Sequence, residues 1–100
     1  MILVKVAKKE NEYQKITLTG HAMYADYGKD IVCAAVSSIA TTTINAILSL
    51  EKENMTYKKT KTGLEIKVKK SSTTNQKLLE NMVLMLKELE LEYPKNIEVR

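Results

Sequence analysis

The sequence predicts an α+β fold, a two-layer sandwich of a mostly antiparallel sheet with two helices on one face, in the order ββ-α-ββ-α-β. Three observations predict it. Short segments alternate apolar and polar residues at period two, as half-buried strands do. Two longer segments repeat apolar residues at three- and four-residue steps, as amphipathic helices do. Hairpins combined with a pair of helices fit two layers around one core. The chain of 100 residues, 44% of them apolar, suffices for a single domain over residues 1–100 and is too apolar for a disordered chain.

Each element has its own justification. Ile2, Val4 and Val6 alternate with Leu3, Lys5 and Ala7, giving a first strand. Lys8 to Asn11 is polar and reads as a turn. Ile16 and Leu18, within Tyr13 to Thr19, form the second strand of a hairpin. Gly20 to Lys29 shows no period and reads as a loop. Asp30 is a candidate N-cap, because its carboxylate accepts from the open N–H groups of a helix start. The helix then runs from Ile31 to about Glu53, with Ala35, Ile39, Thr42, Ala46 and Leu50 on one stripe. Small residues (Cys33, Ala34, Ala35, Ser37, Ser38, Ala40) let it approach a sheet closely. Met55 to Lys59 is a short strand candidate. Lys59 to Gly63 reads as a turn, with Gly63 tolerant of positive φ. Leu64, Ile66 and Val68 alternate with charged residues in the clearest strand of the chain. Ser71 to Thr74 offers caps for a second helix, whose apolar face is Leu78, Leu79, Met82, Met85, Leu86 and Leu89, and Pro94 stops it. Ile97 and Val99 suggest a last strand.

Composition removes several classes of function. With one cysteine, Cys33, and one histidine, His21, the chain cannot build an internal disulfide, a multi-thiolate metal site or an all-histidine site. No metal or cofactor is expected. No segment reads as a membrane span or a signal peptide, so the expected compartment is the cytoplasm, with no membrane partner. Net charge is +4, and six lysines with one glutamate lie between Lys58 and Lys70. That hairpin is either a solubilising surface or one that meets an anionic partner such as ribosomal RNA.

The stretch Gly20 to Ser38 carries the candidate chemistry. His21 sits at a strand end, and Cys33 sits in the first turn of the predicted helix, where the positive helix end favours a thiolate. Together they describe a cysteine nucleophile with a histidine acid and base. Open N–H groups at the helix start are natural oxyanion donors. Gly20 and Gly28 are candidate hinges of the loop between them. Asp30 either caps the helix or orients His21, and as a cap its charge opposes a thiolate at Cys33. A lone cysteine among small apolar residues is more often a small buried hydrophobe. Ser37, one turn after Cys33, reads more naturally as a packing residue than as a catalytic one.

The same stretch resembles the family of ribosomal-processing cysteine proteases called Prp. The matching residues are Gly20-His21-Ala22, then Gly28-Lys29-Asp30, then Ile31-Val32-Cys33-Ala34-Ala35-Val36-Ser37. The resemblance implies a bacterial cytoplasmic endopeptidase that removes an N-terminal extension from the precursor of large-subunit ribosomal protein twenty-seven. It implies Cys33 as nucleophile, His21 as its partner, Asp30 and Ser37 as supporting residues, and a homodimer. It also implies a substrate loop over the site, here Ala22, Met23, Tyr24, Ala25, Asp26 and Tyr27. The competing reading is a non-catalytic ribosome- or RNA-associated module that uses the 58–70 hairpin. A redox-sensing thiol is a third, disfavoured by the lack of a second cysteine.

Overall fold

The computed structural model describes residues 1–20 and 30–100. Among these, the elements are β1 (Ile2–Lys9), β2 (Glu12–Thr19), α1 (Ile31–Leu50), β3 (Met55–Lys59), β4 (Gly63–Val68), α2 (Thr73–Glu92) and β5 (Ile97–Val99), in the predicted order. They form one five-stranded sheet of order β3-β4-β2-β1-β5. All neighbours are antiparallel except β1 and β5, which are parallel. Ile2, Val4, Ile16, Leu18, Ile66, Met55 and Ile97 from the sheet meet Val32, Val36, Ala40, Ile44 and Ile47 of α1 and Leu79, Met82, Val83 and Leu86 of α2 in one core.

The local chemistry explains the elements. Glu10 and Asn11 take φ of 53° and 66°, so the first hairpin closes through two left-handed residues, a tighter turn than the predicted Lys8–Asn11. The β1–β2 register shifts between Ala7 and Lys8, where Ala7 faces Lys15 but Lys8 faces Tyr13. This bulge resets the alternation, and Tyr13 is buried with the Lys8 ammonium over its ring at 4.5 Å. The Gln76 side chain then treats Tyr13 as a neighbouring strand would. Its Oε1 accepts the Tyr13 N–H at 2.7 Å and its Nε2 donates to the Tyr13 carbonyl at 2.9 Å. Helix α2 starts with a capping box: Ser72 Oγ accepts from the Asn75 N–H and Asn75 Oδ1 accepts from the Ser72 N–H. Asn75 is fully buried because its Nδ2 also donates to the Lys70 carbonyl, so the polar side chain is satisfied.

Several expectations are corrected. The buried stripe of α1 is Val32, Val36, Ala40, Ile44 and Ile47 rather than the stripe through Ala35, Ile39, Thr42, Ala46 and Leu50, and the helix ends at Leu50. Leu50 itself is 68% exposed. On α2, Met85 faces outward and Val83 takes a core position. Gly63 has no positive φ; it opens β4 where a Cβ would lie 1.8 Å from the Leu18 carbonyl oxygen, so a close approach of two strands demands glycine there. Helix α1 is also long and apolar enough to cross a membrane by length and composition, contrary to the expectation that no segment is. Its stripe of branched residues is seated in the core of the sandwich, as in the core helix of a two-layer fold.

The other face of the sheet is wet. Lys15 and Lys67 stand directly opposite each other, as do Thr17 and Glu65, and Lys58 and Glu65. Glu65 bridges both Lys15 at 3.3 Å and Lys67 at 3.6 Å. The Lys15 hydrogen bond, helped by the charges of Lys15, Lys67 and Lys58, lowers the Glu65 pKa against a smaller desolvation effect.

Candidate active site

Cys33 is the third residue of α1 and is half-buried against the core. Its position follows from the cap. Asp30 has extended backbone, its Oδ1 accepts the Cys33 N–H at 2.9 Å, and its carbonyl accepts the Ala34 N–H at 3.2 Å. Asp30 therefore caps the helix, and its other expected role, orienting His21, involves a residue outside the described ones. The expectation that the open N–H groups of the helix start serve an oxyanion narrows accordingly. Those of Cys33 and Ala34 are engaged by Asp30, which leaves Ile31 and Val32 as first-turn donors without an intrahelical acceptor.

Cys33 lines a cleft of about 460 Å³ on the helix side of the sheet. Ser37, one helical turn on and exposed, lines the same cleft, followed by Thr41 a further turn along. The opposite wall comes from Leu18, Gly20 and Leu64, with Lys59 and Thr60 at the β3–β4 turn. Gly20 stands at φ 89°, where a Cβ would lie 2.3 Å from the Met1 carbonyl oxygen, and its N–H donates to the Thr62 carbonyl at 2.9 Å. The candidate hinge is thus tied to the β3–β4 turn at that point. Thr41, Lys59 and Thr60 were not among the expected site residues. Alternation along the β3–β4 hairpin holds the signal for Lys59, which pairs with Leu64 and so shares its face rather than that of Lys58.

Of the remaining expected residues, His21 and the substrate loop Ala22, Met23, Tyr24, Ala25, Asp26 and Tyr27, with Gly28, lie outside the described residues. The described side of the site offers a thiol beside a helix N-terminus, hydroxyls at one-turn intervals, and an apolar floor of Val36 and Ala40. A concave cleft with an apolar floor and a few polar groups has the usual form of a ligand site.

Comparison with known proteins gives this geometry a family. The family model described as "Cysteine protease Prp" matches residues 1–98. The ribosomal processing cysteine protease Prp of Staphylococcus aureus (strain Mu50) is 31% identical over 103 residues, covering 99% of this chain and 97% of the relative. The Bacillus subtilis (strain 168) protein of the same name is 28% identical over 92 residues, covering 82% and 80%. A crystal structure of the essential ribosomal processing protease Prp from S. aureus, in complex with a covalently linked product peptide, superposes with a TM-score of 0.92 at 30% identity, covering 100% of this chain and 98% of that one. A cysteine peptidase sets aside the non-catalytic reading. The thiol at the head of α1, the five-stranded sheet and the match along nearly the whole chain lead to one conclusion: this chain belongs to the Prp family of cysteine proteases.

Proposed function

We propose that the chain is an endopeptidase that removes the N-terminal extension of the precursor of large-subunit ribosomal protein twenty-seven, with Cys33 as nucleophile and His21 as acid and base. The observation that carries this reading is the half-buried Cys33 in the first turn of α1, lining a cleft sized for peptide. The names of the relatives, which are ribosomal processing proteases, support the substrate class, as does the peptide covalently linked in the S. aureus structure.

The chemistry follows from these groups. His21 takes the thiol proton, and the Cys33 sulfur attacks the scissile carbonyl carbon to form a C–S bond. The carbonyl π pair moves to oxygen, where helix-start N–H groups receive the oxyanion. Collapse breaks the C–N bond, and the imidazolium gives its proton to the leaving amine. Water, activated by the imidazole, then attacks the thioester and releases the acid and the thiol. In this reading Asp30 supports the site by fixing the start of α1. Ser37 flanks the thiol, and Ala22–Tyr27 contact substrate.

The family resemblance also supports a homodimer in a reducing, cytoplasmic setting with ribosomal contacts. Sedimentation of the purified chain as a single protomer at micromolar concentration would remove the dimer from this reading.

The central test is incubation with the precursor ribosomal protein under reducing conditions, followed by mass spectrometry of the products. Cleavage within the N-terminal extension is expected, with loss of activity in Cys33→Ser and His21→Ala while the circular dichroism spectrum is unchanged. An intact extension with wild-type enzyme overturns the substrate, and full activity in Cys33→Ser overturns the mechanism.

A further inference from the structure

The solvent face of the sheet, opposite the cleft, concentrates charge in an ordered way. Strand pairing lines up two neighbouring rows on this face. The first runs Lys58–Glu65–Thr17–Lys5 across β3, β4, β2 and β1, and the Arg100 backbone bonds to β1 on both sides of Lys5. The second runs Thr56–Lys67–Lys15–Ala7. Lys5, Lys15, Thr17 and Arg100 together line a shallow depression of about 430 Å³.

Two features of these rows point to an external anion. Lys15 and Lys67 are directly opposed, and a single carboxylate, Glu65, answers both ammonium groups. Glu65 is shared between both of them and Glu98 pairs with Arg100, yet the four lysines of these rows outnumber the acids, so positive charge remains in excess. Lysine spacings follow the sheet, with neighbouring strands about 4.8 Å apart and alternate residues about 6.6 Å apart along a strand. Cations on such a grid meet a phosphate backbone at several points at once. Threonines 17 and 56 add hydroxyl donors. No aromatic side chain stands in either row, so there is no platform for stacked bases.

We infer that this sheet face is a docking surface for the phosphate backbone of double-stranded RNA, carried by Lys5, Lys15, Lys58 and Lys67 and read without regard to base sequence. The surface is wider than the 58–70 hairpin, since half of its lysines come from β1 and β2, and it excludes Lys59, which faces the cleft. Because the cleft opens on the opposite side of the sheet, RNA bound here leaves Cys33 accessible. The inference does not rest on the peptidase's proposed substrate.

The test is fluorescence anisotropy of the full chain with a labelled RNA duplex of roughly 20 base pairs, titrated between roughly 50 and 200 mM salt. Two quadruple variants carry the same change in net charge. One is Lys5→Gln, Lys15→Gln, Lys58→Gln and Lys67→Gln; the other, away from the face, is Lys52→Gln, Lys77→Gln, Lys87→Gln and Lys95→Gln. The face variant is expected to bind at least about tenfold more weakly, with the log–log salt slope reduced by about 0.7–0.9 for each lysine that contacts phosphate. The second variant should bind nearly as wild type, and both should cleave peptide at the wild-type rate. Thermal melts check that each variant is folded. Equal weakening by the two variants overturns the inference in favour of diffuse charge. So does binding to phosphatidylserine vesicles without binding to RNA, or a wild-type affinity that depends strongly on base sequence.

Discussion

Asp30 ties the start of α1 to the site by two bonds, one from its side chain and one from its main chain. Asn caps as well as Asp, whereas Ala cannot. Asp30→Ala should cost about 1 kcal/mol in urea denaturation, and Asp30→Asn only a few tenths. The same Asn variant removes a negative charge near Cys33, so alkylation of the thiol by iodoacetamide should be faster in Asp30→Asn than in wild type. A slower rate would mean that the carboxylate assists the thiol through another group. Glu65 gives a second prediction. Its pKa is lowered in the fold, so its contribution to stability is present above the unfolded carboxylate value of 4.5 and is lost as pH falls through the lower folded value. Glu65→Gln should therefore narrow the difference in Tm between neutral pH and the acid side of that window, as read by thermal melts across pH. At this scale the candidate site was partly legible. Cys33 and Asp30 stood out because a lone thiol just after a capping residue is an unusual juxtaposition. The capping role needed the Asp30–Cys33 bond itself, and part of the far wall of the cleft comes from the β3–β4 hairpin, more than twenty residues from Cys33 in sequence.

At the level of elements, order and type were readable and faces were less so. Strands β1 and β4 show clear alternation in sequence, but α1 carries apolar or small residues on nearly every side, so several stripes satisfy a helical period equally well. What selects Val32, Val36, Ala40, Ile44 and Ile47 is packing against the sheet and α2, which periodicity does not contain. Tyr13 escaped the alternation for a related reason, since a bulge changes the phase without marking the sequence. The parallel pairing of β5 with β1 joins opposite ends of the chain and likewise had no local signal. Two predictions belong here. Gly63→Ala drives a Cβ into the Leu18 backbone, where no side chain can yield, and should cost more than about 2 kcal/mol by denaturant unfolding. Gln76→Ala leaves the Tyr13 N–H and carbonyl without their side-chain partner and should cost about 1–3 kcal/mol. Faster hydrogen exchange at the Tyr13 amide would identify the cause.

Across the whole molecule, the sheet ends in two edges that are protected differently. Strand β5 is only three residues long, and β3 carries Thr56, Lys58 and Lys59 within its five. Short edges and edge lysines discourage pairing with another chain. Thr56→Val with Lys58→Val should leave the circular dichroism spectrum unchanged but raise light scattering as protein concentration increases. The sheet also separates two environments. A cleft with an apolar floor and a thiol lies among the helices, and a lysine grid lies on the bare face. One scaffold can therefore present chemistry and charge without either disturbing the other.

Helix α1 has a consequence in time as well as in space. It is the most apolar long segment of the chain, and its main helical partner, α2, is not finished until Glu92. At 5–20 residues per second, the 42 residues between Leu50 and Glu92 take about 2–8 s to synthesise. Through that interval a nascent chain presents Val36, Ala40, Ile44 and Ile47 with only the first hairpin, and then the second, to cover them. The same helix that carries the thiol at its head thus makes the newborn chain a client for whatever protects apolar segments during translation.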